Sequence, residues 1–181
     1  MPERRPKSAK NIANQYDDDA MVPSEADAVI PWSEARRRLA EGRSFWWATT
    51  RPDGQPHVRP VLAVMVDGVL YSTTNRSARK ARNLSTNPRF SVTVSTDDID
   101  FIVEGTAKPV TDEITLKSVA AAYHEKYDFW PVTVRDGAFH APFGAPTAGP
   151  PPYQPYALTP DVIFGLGTNE TFAMRSTRWR F

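Results

Sequence analysis

A short segment of the sequence, residues 73–88 (TTNRSARKARNLSTNP), combines residue types that bind anions. It holds four cations at or near the start of a predicted helix: Arg76, Arg79, Lys80 and Arg82. Ser77 is a good N-terminal cap for this helix over residues 77–85. Cations at a helix N-terminus oppose its macrodipole, at a cost of about 0.3–1 kcal/mol for each exposed charge. A bound phosphate would reverse that cost, so the pattern indicates an anion site.

Hydroxyl and amide side chains precede the predicted helix. Thr73, Thr74 and Asn75 end a predicted strand, and Arg59 adds a cation on the strand sequence HVRPV. We expect these residues to complete a phosphate pocket. An ordinary basic surface helix remains the alternative. Nucleic-acid binding is a third interpretation. Because the net charge is only +1, we expect no nucleic-acid partner.

The sequence offers almost no catalytic side chains of its own. Its three histidines, His57, His124 and His140, fall on a predicted strand, helix and loop without metal-ligand spacing, and there is no cysteine. Neither a nucleophile elbow, nor a dinucleotide-binding GxGxxG, nor a Walker A loop occurs. We therefore expect no metal site, and an enzyme of this sequence would depend on a bound cofactor for its chemistry.

Hydrophobic periodicity predicts the elements that position these residues. Strands are predicted over 44–50, 56–66, 69–74, 89–95, 100–110, 161–167 and 171–181. Helices are predicted over 31–42, 77–85 and 111–127. Asp-Gly pairs at 53–54 and 67–68 predict hairpins. Strands that follow one another with only short helices favour a mainly β fold, an antiparallel β-barrel with flanking helices.

The 181 residues suit one domain with an additional arm. Residues 1–30 are polar and charged, which predicts a flexible arm or one that orders on a partner subunit, and residues 31–181 are predicted to form the folded domain. The Pro/Gly-rich stretch within 129–157 is either a substrate-side wall or a surface excursion. No apolar run reaches the roughly 20 residues of a membrane span, and no secretory signal is evident. We expect a cytoplasmic protein with no membrane partner.

Several segments together resemble the pyridoxamine 5′-phosphate oxidase-like split-barrel superfamily. These are the strand end TTN with the following RSARKARNLSTNPRFSVTV, the preceding GQPHVRPV and the later VEGTAKPV. The final TRWRF, after FGLGTNETFAMRS, is similar to a branch that binds flavin or deazaflavin. The resemblance covers residues 32–110 and 158–181 well and residues 111–157 poorly.

This resemblance implies a split-barrel homodimer with a flavin at the interface and its phosphate at the strand–helix junction. Thr73, Thr74, Arg79 and Lys80 would contact the phosphate. Arg59, Pro60 and Val61 would run along the ring system. Trp179 or its neighbours would approach from the partner's C-terminus. With the residues of the cationic segment, the predicted cofactor-binding set is Arg59, Pro60, Val61, Thr73, Thr74, Asn75, Arg76, Ser77, Arg79, Lys80 and Trp179.

The resemblance also implies a reaction. We expect an oxidoreductase that transfers a hydride between the deazaflavin coenzyme F-420 and an unsaturated small organic substrate. Arg76 and Arg82 would meet the longer anionic tail of a deazaflavin. An FMN-dependent oxidoreductase and a non-catalytic cofactor carrier are the alternatives. The tail RSTRWRF departs from the Arg-x-His pair and Arg-Leu-Ala-Pro ending of true pyridoxamine phosphate oxidases, which argues against vitamin B6 oxidation.

Overall fold

The computed structural model describes residues 4–13, 29–144 and 148–181. Within these ranges an 11-stranded antiparallel sheet is flanked by four helices. The strands are β1 (Ser8–Asn11), β2 (Phe45–Thr50), β3 (Pro56–Val61), β4 (Ala63–Val66), β5 (Val69–Asn75), β6 (Arg89–Ser95), β7 (Ile99–Pro109), β8 (Thr133–Arg135), β9 (Ala138–His140), β10 (Tyr153–Gly167) and β11 (Thr177–Arg180). The helices are α1 (Trp32–Glu41), α2 (Arg79–Thr86), α3 (Glu113–Lys126) and α4 (Glu170–Ala173).

The long strand β10 organises the sheet. Leu158 pairs with Ala107 of β7 and with Leu70 of β5, so these two strands lie on opposite edges of β10. Further along, β11 replaces β5 on the same edge. The path continues from β7 through β6 and β2 to β3, and Leu62 alone separates β3 from β4, which pairs with β5. The chain thus joins both ends of the curved sheet, and the predicted split β-barrel with flanking helices is confirmed.

The barrel interior is filled by alternate side chains of its strands. In β6, Phe90, Val92 and Val94 are buried on one face, as their spacing predicts. Trp47 and Trp179 are the largest fully buried side chains. Removing a side chain of this class from water contributes about 1.5–3 kcal/mol of stability. A second buried cluster lies between α3 and strands β4 and β5, beside the region described below as the candidate site.

Two strand predictions near the C-terminus were wrong in extent. β10 begins at Tyr153, eight residues before the predicted start. Pro155 and Pro160 argue against a strand in the sequence, but both are accommodated within β10, and the pairing with β7 is irregular just after Pro160. The predicted strand over 171–181 is divided into α4 and β11. Asn169 caps α4, since its Oδ1 accepts a 3.0 Å hydrogen bond from the N–H of Phe172.

The predicted flexible arm is also wrong for residues 8–11. This segment forms β1 and pairs antiparallel with β11, from Ser8 opposite Arg180 to Asn11 opposite Thr177. Arg4 further attaches the segment by donating from Nη2 to the carbonyl of Pro160 at 3.1 Å. The rest of the predicted arm, at residues 1–3 and 14–28, lies outside the described residues. No helix in the described part of the chain has the length and apolarity to cross a bilayer.

Candidate functional site

A pocket of about 480 Å³ opens where β5 meets α2, beside the junction of β3 and β4. This volume is within the range typical of small-molecule sites. The described residues that line it are Arg43, Ser44, Pro60, Val61, Leu62, Thr73, Thr74, Lys80, Tyr123, Phe129, Trp130, Phe143, Gly144, Ala148 and Tyr153. Five of these belong to the predicted cofactor-binding set: Pro60, Val61, Thr73, Thr74 and Lys80. Their role in binding a cofactor stays a prediction.

Lys80 is the charged centre of this pocket. It belongs to the first turn of α2, and its Nζ lies 3.4 Å from Oγ1 of Thr74 and 5.7 Å from the ring centroid of Trp47. No salt bridge to Lys80 is formed by any residue in the described ranges. A half-buried ammonium therefore faces the pocket without a counter-ion.

The pKa of Lys80 reflects this environment. Burial, followed by repulsion from Arg59, lowers the pKa of the Lys80 ammonium to about 8. Desolvation disfavours the charged form because little of the lost hydration is replaced by protein groups. A bound anion would supply that replacement and raise the pKa again. The geometry and the charge therefore fit a phosphate.

The turn before α2 leaves the start of this helix without a side-chain cap. The prediction that Ser77 caps the helix is wrong, because Oδ1 of Asn75 accepts hydrogen bonds from both N and Oγ of Ser77, at 2.8 and 2.6 Å. The helix starts two residues later than predicted, with Ala78 at the N-cap position and no capping side chain. The first backbone N–H groups of α2 thus lack a side-chain acceptor, which favours an anion there.

The remaining residues of the predicted cofactor-binding set do not line the pocket. Arg59 donates to the carbonyl of Val58 at 2.7 Å, and the side chain is exposed. Arg76 donates to Oε1 of Gln154 at 3.0 Å, and Arg79 is exposed at the start of α2. Among the clustered cations only Lys80 lines the pocket, and it lies one helical turn before the buried Leu84, on the side of α2 that faces the barrel.

Trp179 requires a correction. Its side chain is 0% exposed and packs inside its own barrel, with its ring centroid 5.8 Å from that of Trp32. A Cβ added to Gly165 would lie 2.9 Å from two ring carbons of Trp179, so the glycine leaves room for the indole. Trp179 is therefore a core residue and does not reach out to a partner's cofactor. That the neighbours of Trp179 approach the partner's cofactor stays a prediction.

Four residues of the pocket were not predicted from the sequence: Arg43, Ser44, Leu62 and Tyr123. Tyr123 is completely buried and donates from its hydroxyl to the carbonyl of Leu62 at 2.9 Å, which fixes α3 against the β3–β4 junction. Burial raises the pKa of Tyr123 well above its ordinary value, so the phenol remains a donor. The sequence contained one signal for Tyr123: Tyr123 and Tyr127 are four residues apart, which places both rings on one face of the helix.

The stretch predicted to be a wall or a surface excursion lines the pocket in part. Phe129 and Trp130 follow α3, and Phe143, Gly144 and Ala148 belong to what we term the covering segment, residues 141–144 and 148–152. Asn75 holds this segment by donating from Nδ2 to the carbonyl of Pro150 at 2.6 Å. Tyr153 donates to the carbonyl of Gly149 at 2.7 Å. Two hydrogen bonds thus attach the segment next to the cationic turn.

The described residues contain no obvious acid–base apparatus at the pocket. His57 is buried but is not a lining residue, and burial, followed by the charge of Arg59, lowers its pKa. Within the described ranges no three His, Asp or Glu side chains are grouped as metal ligands. The pocket combines a half-buried lysine, an exposed arginine, hydroxyls and aromatic rings, which suits binding and orientation of an anionic cofactor more than chemistry by the side chains themselves.

Comparisons with known proteins give a consistent fold. A family model described as pyridoxamine 5′-phosphate oxidase matches residues 32–163. The structure is similar to the conserved hypothetical protein Rv2991 from Mycobacterium tuberculosis, with a TM-score of 0.56, 22% identity, and coverage of 88% of this chain and 90% of that chain. The structure is also similar to a FAD-binding protein from Mesorhizobium loti, with a TM-score of 0.55, 19% identity, and coverage of 84% of this chain and 96% of that chain.

A third similar structure is an F-420 reductase, with a TM-score of 0.50, 22% identity, and coverage of 71% of this chain and 94% of that chain. At these identities the likeness concerns the fold. A search of curated proteins finds no match.

Proposed function

Because the chain belongs to the pyridoxamine 5′-phosphate oxidase family, we propose that it is an oxidoreductase that uses the deazaflavin coenzyme F-420 to reduce an unsaturated small organic substrate. The family includes flavin-dependent oxidoreductases, and the fold is a flavin-binding one. The observation that carries the proposal is the unpaired, half-buried Lys80 in a pocket that is otherwise largely aromatic and apolar.

In this proposal the residues at the start of α2 hold the phosphate. Lys80 supplies the charge, Thr73 and Thr74 supply hydroxyl donors, and the uncapped N–H groups of α2 add to them. Pro60 and Val61 lie along the ring. The bound group, when reduced, supplies the hydride. The chain orients the substrate over the ring, and the apolar wall keeps competing water away.

Two alternatives use the same pocket. FMN also carries a phosphate but lacks the long anionic tail, for which the exposed cations Arg76 and Arg82 are available near the pocket. This arrangement favours the deazaflavin. A non-catalytic carrier would bind the cofactor equally well, since neither role requires an acid–base residue. Turnover with reduced cofactor separates an enzyme from a carrier.

We also propose a homodimer with the cofactor at its interface. Trp46 and Val58 are 50% and 42% exposed on the outer face of β2 and β3, next to the pocket residue Pro60. Trp46 is paired with Pro60, and Ala48 with Val58, so these four residues form one continuous patch. The patch lies at the edge of the sheet, and a second copy of the chain would cover it.

The test is a titration of the purified protein with F-420 and, separately, with FMN, followed by absorbance. We expect tighter binding of F-420, a loss of about tenfold or more in the Lys80→Ala variant, and no loss in the control Lys117→Ala. Lys117 is an exposed lysine that pairs with Glu113 at 2.7 Å on α3. Failure of both compounds to bind would refute the proposal. Mixing the complex of reduced F-420 with activated alkenes and quinones then tests for oxidation of the cofactor.

A further inference from the structure

The aromatic part of the pocket points to the chemistry of the substrate. Resting on the proposed function, we propose that Phe129, Trp130 and Phe143 form a substrate compartment that takes an uncharged, planar, apolar ring system. Charged substrates are selected against at this compartment. The inference concerns which molecule enters the site, whereas the proposed function concerns which cofactor occupies it.

The first observation is exposed aromatic surface inside one pocket. Phe129 and Phe143 are 59% and 51% exposed, although both line the cavity. Large aromatic side chains that are this exposed and share one concave surface leave apolar area that a ligand would cover. Aromatic rings bind planar π-systems in offset or edge-to-face contacts, which favours a flat ligand over a bulky saturated one.

The second observation is the charge of the lining. Lys80 and Arg43 are the only charged residues among the described lining residues, and no carboxylate is present in that set. In the proposed complex Lys80 is neutralised by the cofactor phosphate. Arg43 donates from Nη2 to the carbonyl of Lys126 at 3.2 Å. A cationic substrate would find no partner, and an anionic one would have to compete with the phosphate or pair with Arg43, whose exposed charge is already hydrated and contributes little.

The third observation is that Trp130 and the covering segment are held in place by packing. Trp130 makes edge-to-face contacts with Tyr123 and Tyr153, at centroid distances of 5.3 and 5.6 Å. At Gly144 an added Cβ would lie 2.4 Å from the carbonyl oxygen of Gly149 and 2.7 Å from the hydroxyl of Tyr153. The glycine thus permits a close approach that brings the covering segment onto the aromatic rings. Because the indole of Trp130 is fixed before a ligand binds, this wall discriminates by shape as well as by polarity.

The experiment uses three probes that share the naphthalene ring and carry a neutral, an anionic or a cationic group at position 2: 2-naphthylmethanol, 2-naphthylmethanesulfonate and 2-naphthylmethylammonium. Their binding to the cofactor-loaded protein is measured by equilibrium dialysis. We expect the neutral probe to bind about tenfold or more tighter than either ion, because a charge transferred to this compartment loses hydration without gaining a buried partner of opposite charge. Equal affinity of all three probes would overturn the inference.

Variants locate the binding. Phe129→Ala and Phe143→Ala should each weaken the neutral probe about five- to tenfold while leaving cofactor affinity unchanged. Ile114→Ala is the matched control, because Ile114 is 82% exposed on α3 and does not line the pocket. All three positions are exposed, so the variants should retain the melting temperature of the parent. Unchanged affinity in both phenylalanine variants would refute the compartment.

The same measurements on the cofactor-free protein separate the two proposals. If no cofactor binds but the neutral probe binds through Phe129 and Phe143, the proposed function fails and the compartment stands. If the cofactor binds but the probe does not depend on these residues, the proposed function stands and the compartment fails. Addition of cofactor should also weaken the sulfonate selectively, because both anions would then compete for Lys80.

Discussion

The lowered pKa of Lys80 predicts a specific pH dependence of cofactor binding. In the proposed complex the ammonium form would bind the phosphate, and the pKa of about 8 in the free protein lies well below the usual value of 10.5. About nine-tenths of the side chains are charged at pH 7 and about one-tenth at pH 9. Binding of the anion raises this pKa, so the affinity should fall by about tenfold from pH 7 to pH 9, or about 1.4 kcal/mol.

Two substitutions at the same position isolate this effect. Lys80→Arg keeps a cation whose pKa exceeds about 12, so its affinity should be almost constant from pH 7 to pH 9. Lys80→Met removes the charge, which should weaken binding at pH 7 and also abolish the dependence. Affinities are measured by fluorescence titration of FMN and F-420 at pH 7, 8 and 9 and constant ionic strength.

The reasoning would be refuted by either of two results. A parent protein whose affinity is constant over this range would mean that Lys80 does not bind the phosphate as its ammonium form. A Lys80→Arg variant with the same tenfold fall would assign the titration to another group. Lys126 is the natural alternative, since its pKa is also lowered to about 8, but its Nζ donates to the carbonyls of Ala40 and Ala63 and does not line the pocket.

Four further predictions follow from individual residues. Lys80→Met should raise the free energy of unfolding of the free protein at pH 7 by an amount on the order of 1 kcal/mol after solvent screening, because it removes a half-buried charge. In urea unfolding this gain should disappear as the pH rises from about 8, the pKa of Lys80 in the folded protein, toward 10.5, its ordinary pKa. Asn75→Ala removes the hydrogen bond to the carbonyl of Pro150, so it should increase hydrogen exchange of the covering segment and weaken cofactor binding several-fold. The control Asn87→Ala removes a 3.1 Å hydrogen bond from the N–H of Arg89, away from the covering segment, and should do neither. Trp179→Ala should lower the free energy of unfolding by about 3–5 kcal/mol in urea titrations, because the residue fills the core. Trp46→Glu should convert the proposed dimer into monomers in sedimentation velocity, and a parent protein that is itself monomeric would refute the dimer.

Local patterns predicted the parts of the fold whose cause is local. The strand over 89–95 is β6 without adjustment, because alternating apolar residues place one face in the core whatever lies further along the chain. The hairpin turn at Gly54 follows from its positive φ of 84°, which the Asp-Gly pair supplies. The cap of α2 was mispredicted because Ser77 bonds to Asn75, a competition between two neighbouring side chains that residue preferences do not resolve.

The sequence by itself determined the mainly β barrel, the family resemblance and the cationic segment around the start of α2. Only the tertiary structure decided which of these cations lines the pocket, since the burial of Lys80 depends on neighbours such as Thr74 and Trp47. It also decided the aromatic side of the pocket, because Phe129 and Phe143 lie more than forty residues beyond Lys80 in the chain and are brought to it by the packing of α3 and the covering segment. Charge and periodicity are properties of a short segment, whereas desolvation and pocket shape arise only when distant segments pack together.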